Sequence, residues 1–367
     1  MSSKVESVVP ITMKSMKTED SSEKEDRQVR NIQLTGRGSY VVSIPKRWVE
    51  QMGLKKGGRL EFEERVEGLL LTPIAQTRPE EREEQPRCEI LIPAEATPDA
   101  VTRRIISLYV IGYSTIDVNS KAGNFSTSIR ESIRDVARRK LIGTELVNES
   151  SKSATLQVLL NFPQLLVPDV LRRMSSIMKS MQQDAMQALA RSDRELANQV
   201  LKIDDEMDRF SLYIIRQLKW GVQHPPLLDR IGLTSPVECL GYRIITKGVE
   251  RSADHAARVA KNSLLIQHTL NPTILRNVNT LSQSASKMMD AALQALFARD
   301  YQLAESVLID REKISTLESR LVEHLLKEKM PASELSALRL ISESLRRIGE
   351  YATDIAEVVL NLTVQNQ

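Results

Sequence analysis

The sequence predicts a multidomain protein with a small β module, a small α+β connector and an all-α bundle built from a duplicated three-helix unit. Strand-like segments separated by glycine turns run over residues 29–75, at hairpin spacing. From Pro168 onward, apolar residues recur with the period of an amphipathic helix. A short segment of this helical part occurs twice, which indicates an internal duplication.

Composition supports this division and excludes several classes of protein. The chain of 367 residues is 41% hydrophobic and only 4% aromatic, which is typical of helical bundles. Charged residues interrupt every apolar run before the roughly 18 residues that a membrane span needs, and no apolar signal core opens the chain. We therefore expect a cytoplasmic protein without membrane insertion. Cys88 and Cys239 have no paired spacing, which favours a reduced compartment.

The β module is expected to be too thin to fold as a single copy. Residues 1–28 are polar and charged, so disorder is predicted there. The module itself spans residues 29–75, with predicted strands at 30–34, 40–44, 60–62 and 69–72 and a helix at 45–52. So few short strands cannot bury a sufficient core alone, which predicts a homodimer. A charged, proline-bracketed linker follows at residues 76–87.

The remainder of the chain divides into a connector and two helical repeats. The α+β connector is predicted at residues 88–161. Repeat 1 covers residues 165–268 and repeat 2 covers residues 271–364, with three helices each. The segments RSDRELA (191–197) and ARDYQLA (298–304) occupy the same place in the two repeats. Met174, Met178 and Met181 lie on one stripe of the first helix and are expected to fill its core.

Basic residues come first in the β module, and acids follow on its last hairpin. A dimer would duplicate the basic face, and clustered cations favour nucleic acid through counterion release. The same charge is also typical of a solvated surface. The candidate DNA-binding residues are Arg37, Lys46, Arg47, Lys55, Lys56 and Arg59.

The segments GSYVVSIPKRWV (38–49) and MGLKKG (52–57) resemble the AbrB/SpoVT/MazE swapped-hairpin family. The resemblance implies an intertwined dimeric barrel that presents basic residues to DNA. Arg37, Lys46 and Arg47 fall where that family places such contacts. Some relatives serve only for dimerisation or partner binding, and that alternative remains open here.

Four acids in repeat 1 are candidates for a metal site. Asp204 and Asp208 are four residues apart, as are Glu250 and Asp254, so each pair shares one helix face. Two such helices facing each other could hold a divalent or iron-type cation, because carboxylate oxygens suit hard cations. Paired acids on helices are more often solvated or matched with arginine. His255 points about 100° away from Asp254 and is expected at the surface.

The helix segment ERSADHAARVA (250–260) resembles the PhoU signature, and RRIGEYATDIAE (346–357) repeats it. The segment IDDEMD (203–208) resembles the partner motif on the preceding helix. The resemblance implies a role in phosphate homeostasis, with metal at these acids. Repeat 2 departs from the pattern, because Arg346 replaces the first acid and could pair with Glu350, while Asp310 is displaced onto the apolar stripe. We therefore expect at most one metal site, in repeat 1.

The combination predicts a phosphate-responsive, DNA-binding transcriptional regulator of phosphate uptake and homeostasis, without enzymatic activity. The alternative is a cytoplasmic accessory or scaffold of a phosphate transporter or a sensor kinase, in which the β module only dimerises the chain. An enzyme is the least favoured class, because no catalytic triad, Walker loop or dinucleotide fingerprint is present. A metallohydrolase built on the acids is the form of enzyme that stays open.

Overall fold

The computed structural model describes residues 29–36, 38–65, 68–74, 86–121, 123–159 and 165–364. These residues fall into two compact units that divide between residues 74 and 86. The disorder predicted for residues 1–28, most of the predicted linker and the candidate DNA contact Arg37 lie outside the described residues.

The N-terminal unit consists of two hairpins and one short helix. Strands β1 (Gln33–Thr35) and β2 (Ser39–Val41) pair antiparallel, as do β3 (Arg59–Arg65) and β4 (Gly68–Ile74). The helix α1 (Lys46–Gln51) joins the hairpins, and Pro45 occupies the N-cap position just before its first turn. Gly38 has a φ of 119°, a conformation that suits glycine at the β1–β2 turn.

The predicted connector has the expected mixture of strands and helices. Its elements are β5 (Arg87–Ile92), α2 (Pro98–Ile111), β6 (Thr115–Ser120), α3 (Thr127–Asp135), β7 (Thr144–Glu149) and β8 (Ser153–Val158). The sheet has the order β5-β6-β8-β7, in which only β5 and β6 run parallel. A π-helical turn, Val136–Lys140, continues α3. Thr97 and Ser126 cap α2 and α3 with their hydroxyl oxygens.

The helical bundle belongs to the same compact unit as the connector, although the connector has an apolar core of its own. Its helices are α4 (Val167–Arg191), α5 (Arg194–Gln223), α6 (Pro236–Ser263), α7 (Pro272–Ala298), α8 (Tyr301–Ile309), α9 (Arg311–Leu325) and α10 (Ala332–Thr363). The predicted fifth helix is divided into α8 and α9 at Asp310. Asp310 is exposed at this break, so its predicted place on the apolar stripe is wrong.

The duplicated segment forms the same corner in both repeats. Ser192 ends α4 with a φ of 53°, and Arg299 ends α7 with a φ of 52°. The next residue then caps the following helix: Asp193 Oδ1 accepts from the Leu196 amide, and Asp300 Oδ1 accepts from the Leu303 amide, both at 2.9 Å. Matching strained corners and matching caps are what an internal duplication predicts.

One apolar core runs through the whole bundle. Met174, Met178 and Met181 are buried in it, as predicted, because a flexible thioether chain fills irregular gaps. The pair α6 and α10 brings the two repeats together, with Gly248 of α6 facing Ile355 of α10. Among the helices of the described ranges, none is long and apolar enough to cross a membrane.

Candidate functional site

The acids of repeat 1 meet where α5 packs against α6. Asp204 and Asp208 lie on α5, while Glu250 and Asp254 lie on α6. Desolvation raises the pKa of Asp254, and the charges of Asp204 and Asp208 on the other helix raise it further. We call these four residues the acidic cluster. The structure therefore brings together the residues that the spacing on two separate helices singled out.

Burial and mutual repulsion act in the same direction on this cluster. Desolvation raises the pKa of Asp204 first, followed by the charge of Asp208. Asp208 is exposed overall, yet desolvation of its carboxyl group and the charge of Glu250 raise its pKa as well. Concentrating negative charge in this way makes a cation favourable at the cluster.

The chain itself supplies a positive charge next to the acidic cluster, on Lys247. Lys247 lies one turn before Glu250 on α6 and forms an ion pair with Oε2 of this buried side chain. The same oxygen accepts no well-aligned hydrogen bond. The charge of Lys247 also opposes the rise in the pKa of Asp208 and of Asp254. Sequence reasoning missed Lys247, although its spacing of three residues from Glu250 was visible.

The donor chemistry of the cluster fits a hard cation. Oδ1 of Asp204 is buried without a hydrogen-bond partner, and a metal ion would satisfy such an oxygen. As they stand, no three or more His, Cys, Asp or Glu side chains within the described ranges form a group that could hold a metal ion. Binding of a metal ion therefore stays a prediction for Asp204, Asp208, Glu250 and Asp254. It requires their carboxylates to move closer together.

The corresponding place in repeat 2 is occupied by ion pairs. Arg346 contacts Glu350 on α10, and its Nε lies 3.1 Å from Glu318 Oε2 on α9. Arg347 Nη1 lies 2.6 Å from the other oxygen of Glu350, and Arg339 Nη1 lies 2.6 Å from Glu318 Oε1. Arg346 thus stands in repeat 2 at the place of Glu250 in repeat 1, and it pairs with Glu350 as its sequence position suggested.

His255 is buried, so the expected surface position is wrong. Its ring lies 5.8 Å from that of Tyr351, and Nδ1 has no hydrogen-bond partner. Desolvation, together with Arg258 and Arg347, lowers the pKa of His255 to about 4. Tyr351 comes directly after Glu350, just as His255 comes directly after Asp254. The two rings therefore hold matching positions in the two repeats, and they are in contact with each other. This contact depends on α10, which no local pattern around His255 reveals.

The candidate DNA-binding residues that the structure describes lie on the surface of the N-terminal unit. Lys46, Arg47, Lys55, Lys56 and Arg59 are all exposed. Lys46 Nζ lies 3.6 Å from Glu50 Oε1, a solvated pair one helical turn apart. Large apolar side chains are exposed in the same unit, including Leu34 (64%), Tyr40 (73%) and Phe62 (59%). A surface that combines basic and unburied apolar residues is suited to binding another macromolecule.

Two family models match parts of this chain, one in each unit. The PhoU domain family matches residues 171–263 and 278–359, which are the two helical repeats. The family described as antidote-toxin recognition MazE, bacterial antitoxin, matches residues 33–79. The two matches do not cover the α+β connector.

The similar curated proteins are phosphate-specific transport system accessory protein PhoU homologs. The one from Pseudomonas aeruginosa is 28% identical over 196 residues, 52% of this chain and 78% of the relative. The one from Zymomonas mobilis is 28% identical over 47% of this chain and 73% of the relative. The one from Clostridium acetobutylicum is 23% identical over 54% of this chain and 90% of the relative.

Two solved structures are similar to the same part of the chain. The crystal structure of PhoU from Pseudomonas aeruginosa has a TM-score of 0.48 at 25% identity and covers 55% of this chain and 96% of that one. The crystal structure of the phosphate transport system regulatory protein PhoU from Streptococcus pneumoniae has a TM-score of 0.47 at 18% identity. It covers 53% of this chain and 92% of that one. By its family matches, this chain carries a PhoU domain in its C-terminal part and a MazE/AbrB-type antitoxin domain at residues 33–79.

Proposed function

We propose that this chain is a non-catalytic accessory protein that regulates phosphate uptake, with its MazE-type domain joining two copies of the chain. The observation that carries the proposal is the PhoU match across both helical repeats, together with relatives described as phosphate-specific transport system accessory proteins. The partner would be a phosphate transporter or a sensor kinase that acts with it. A fold alone does not specify an activity, so the role needs a direct test.

The apolar surface of the N-terminal unit supports the dimer. Leu34 of β1 lies opposite Tyr40 of β2, and both side chains remain exposed within one copy. Phe62 on β3 and Leu69 on β4 are exposed as well. A second copy interlocked with the first would remove these side chains from water, which favours association.

The dimer is tested on the full chain by analytical ultracentrifugation. Substitution of Leu34→Asp together with Phe62→Asp is expected to convert a dimer into a monomer, because buried carboxylates without partners are costly. The matched control is Leu326→Asp, which changes a leucine that is 72% exposed after α9. A wild-type monomer, or dimers of equal affinity in all three proteins, would rule out this role.

The accessory role is tested in cells that normally contain this chain. Cells that lack it are expected to take up radiolabelled phosphate faster than wild type in phosphate-rich medium, because the restraint on uptake is missing. Re-expression of the wild-type chain should restore the slower rate. Uptake that does not depend on the chain, at both high and low phosphate, would contradict the proposal.

DNA binding is the second candidate function, and the exposed basic residues of the N-terminal unit favour it. Lys46, Arg47, Lys55, Lys56 and Arg59 all lie on a unit of few residues, and a dimer would double their number. Arg37 belongs to the same candidate set by its sequence position. In this version the chain is a phosphate-responsive transcriptional regulator, and the basic residues contact the phosphates of DNA.

Fluorescence anisotropy with duplex DNA distinguishes the two candidates. If the basic residues bind DNA, Lys55→Ala with Lys56→Ala should weaken binding and reduce the slope of log K against log salt by about 2 to 4 for a dimer. The matched control is Lys219→Ala with Arg230→Ala, which removes two exposed cations from the bundle. Equal weakening by both pairs of substitutions, or no binding by the wild type at low salt, would exclude DNA binding by these residues. The accessory role would then be the one that stands.

A further inference from the structure

The N-terminal half of α6 carries a row of exposed apolar side chains. Val237, Leu240 and Ile244 are 66%, 67% and 53% exposed. Their spacing of three and four residues places them side by side on one face of the helix. We call these three residues the α6 stripe. Single exposed leucines are ordinary on a protein surface, whereas a contiguous apolar patch is typical of a binding surface.

The α6 stripe is not part of the face by which α6 packs into the bundle. Cys239, Gly241, Tyr242 and Ile245 alternate with the stripe residues along the helix, and all four are buried. The helix contacts α4, α5 and α10. Since α6 already has a buried apolar face, its free face would be expected to be polar if it met only water.

The connector meets the bundle at the neighbouring helix α5. Leu212 of α5 packs against the core of the connector, and Ile142 of the connector packs against the core of the bundle. The buried guanidinium of Arg216, also on α5, donates hydrogen bonds to the carbonyl oxygens of Gly112 at 3.0 Å and Tyr113 at 2.9 Å, at the end of α2. These contacts hold the connector on α5, and the α6 stripe remains exposed.

The apolar surface continues from α6 onto α10. A Cβ at Gly241 would lie 3.1 Å from Cγ1 of Val358 and 2.9 Å from Cδ1 of Leu362. These two side chains of α10 are partly buried against the bundle core, and Val364, two residues further along the chain, is 56% exposed. Because Gly241 directly follows Leu240, this close approach places apolar side chains of α10 next to the α6 stripe.

Cations follow the α6 stripe along the same face of the helix. Lys247 and Arg251 continue its spacing of three and four residues, and Arg243 lies directly before Ile244. Lys247 is paired with Glu250. Arg243 and Arg251 are exposed, and neither forms an ion pair with a residue of the described ranges. Unpaired guanidinium groups next to an apolar surface favour a partner that combines apolar side chains with carboxylates.

We infer that the α6 stripe is the docking site for an amphipathic helix of a partner protein, with acidic residues that pair with Arg243 and Arg251. Side chains at helical spacing form a ridge, and a second helix packs along such a ridge. A second copy of this chain would bring the same arginines and no exposed carboxylate within the stripe. The inference rests on the proposed function and deepens it, because the partner would be the transport or signalling protein on which an accessory protein acts.

An anionic lipid surface is the other occupant that apolar and basic residues could suit. The same face of α6 continues from Arg251 to half-buried Asp254, which belongs to the acidic cluster. A broad anionic surface laid along α6 would bring its phosphates close to these carboxylates, and like charges repel. A partner helix can instead place its acids at the two arginines alone. The charge pattern therefore favours a protein helix over a membrane.

The docking site is tested in cells by photo-crosslinking of the full chain with benzoylphenylalanine in place of Leu240. We expect an adduct with another protein, in which the attached peptide carries apolar residues at helical spacing and acids beside them. Arg243→Glu together with Arg251→Glu should lower the yield of this adduct about tenfold, because like charges then face each other. The matched control is Arg320→Glu with Lys327→Glu, which changes two exposed cations elsewhere and should leave the yield unchanged. Equal effects of the two pairs, no adduct, or adducts only with lipid or with a second copy of this chain would overturn the inference.

Phosphate uptake separates this inference from the proposed function. Leu240→Asp with Ile244→Asp should give the fast uptake of cells that lack the chain, because carboxylates on the stripe repel an acidic partner and remove its apolar contact. Both positions are exposed, so the variant should unfold at the wild-type midpoint, and Leu326→Asp should restrain uptake as wild type does. Normal restraint by the double variant would overturn the role of the stripe. If cells without the chain take up phosphate normally, the proposed function fails, and the cross-link alone decides whether the α6 stripe docks a helix.

Discussion

Arg346 and Glu350 form an ion pair one helical turn apart on α10, at the places that Glu250 and Asp254 occupy on α6. Glu318 of α9 also forms an ion pair with Arg346. Two acids in repeat 1 thus correspond to an arginine and an acid in repeat 2. The duplicated bundle therefore has one half whose charge favours a cation and one half whose charges are matched internally.

Removal of Arg346 is expected to destabilise the bundle without an added ligand. Arg346→Ala leaves Glu318 and Glu350 with one arginine partner each, and their side chains are only 12% and 24% exposed. We expect the free energy of unfolding, measured by urea denaturation, to fall by about 1–2 kcal/mol. Arg320→Ala, an exposed position on α9, serves as the control and should change it by less than about 0.5 kcal/mol. Equal losses would mean that the ion pairs contribute no more than surface charges.

Substitution of Arg216→Met should weaken the attachment of the connector. Methionine retains much of the apolar contact but leaves the carbonyl oxygens of Gly112 and Tyr113 without this donor. The expected loss is about 2–4 kcal/mol in the free energy of unfolding, with faster hydrogen exchange at the end of α2. Exposed Arg230→Met is the matched control. Unchanged exchange in α2 would show that the apolar contacts of Leu212 and Ile142 hold the connector alone.

Gly349→Ala is expected to destabilise the contact between α9 and α10. Alanine ordinarily favours a helix over glycine by about 1 kcal/mol. Here the added Cβ would lie 2.9 Å from Cγ1 of Ile314 and 3.2 Å from its Cδ1, so the clash should outweigh the propensity. Thermal unfolding should show a net loss of about 1–3 kcal/mol. Gly248→Ala, whose nearest contact would be 3.2 Å, should lose less, and the opposite order would contradict this account.

Both thiols should react only slowly in the folded protein. Cys88 and Cys239 are free and buried, and burial raises the pKa of Cys239 to about 11 and that of Cys88 in the same direction. The thiolate is the reactive form, so at pH 8 about 0.1% of Cys239 is in that state, increasing about tenfold per pH unit up to its pKa. A disulfide-exchange reagent should titrate both thiols quickly in urea and slowly without it. Fast reaction of either thiol in native protein would contradict their burial.

Local patterns predicted most of the helices, and the repeated segment marked matching places in the two repeats. Asp193 and Asp300 stand at the same point of a repeated segment, and each caps the helix that follows it. Asp204 and Asp208 share a helix face because of their spacing alone, and the charges of both act on Asp254 of α6. Such features depend on residues close together in the chain.

Other features could not be read from nearby residues. His255 was expected at the surface, but Tyr351 of the other repeat covers it. Asp310 was placed on an apolar stripe, whereas the helix is interrupted there and leaves it exposed. The attachment of the connector to α5 through Arg216 and Leu212 was not predicted either. For His255 and for the connector, the deciding contacts come from distant parts of the chain.

The sequence by itself determined the helices, their caps, the duplication and the acids that share a helix face, because these follow from hydrogen bonds and side-chain periodicity over a few residues. Only the tertiary structure decided that Lys247 pairs with buried Glu250, that Arg346 reaches Glu318, and that Arg216 holds the end of α2. Burial and charge pairing depend on which helices pack together. That packing is settled by the whole apolar core, and no short segment contains it.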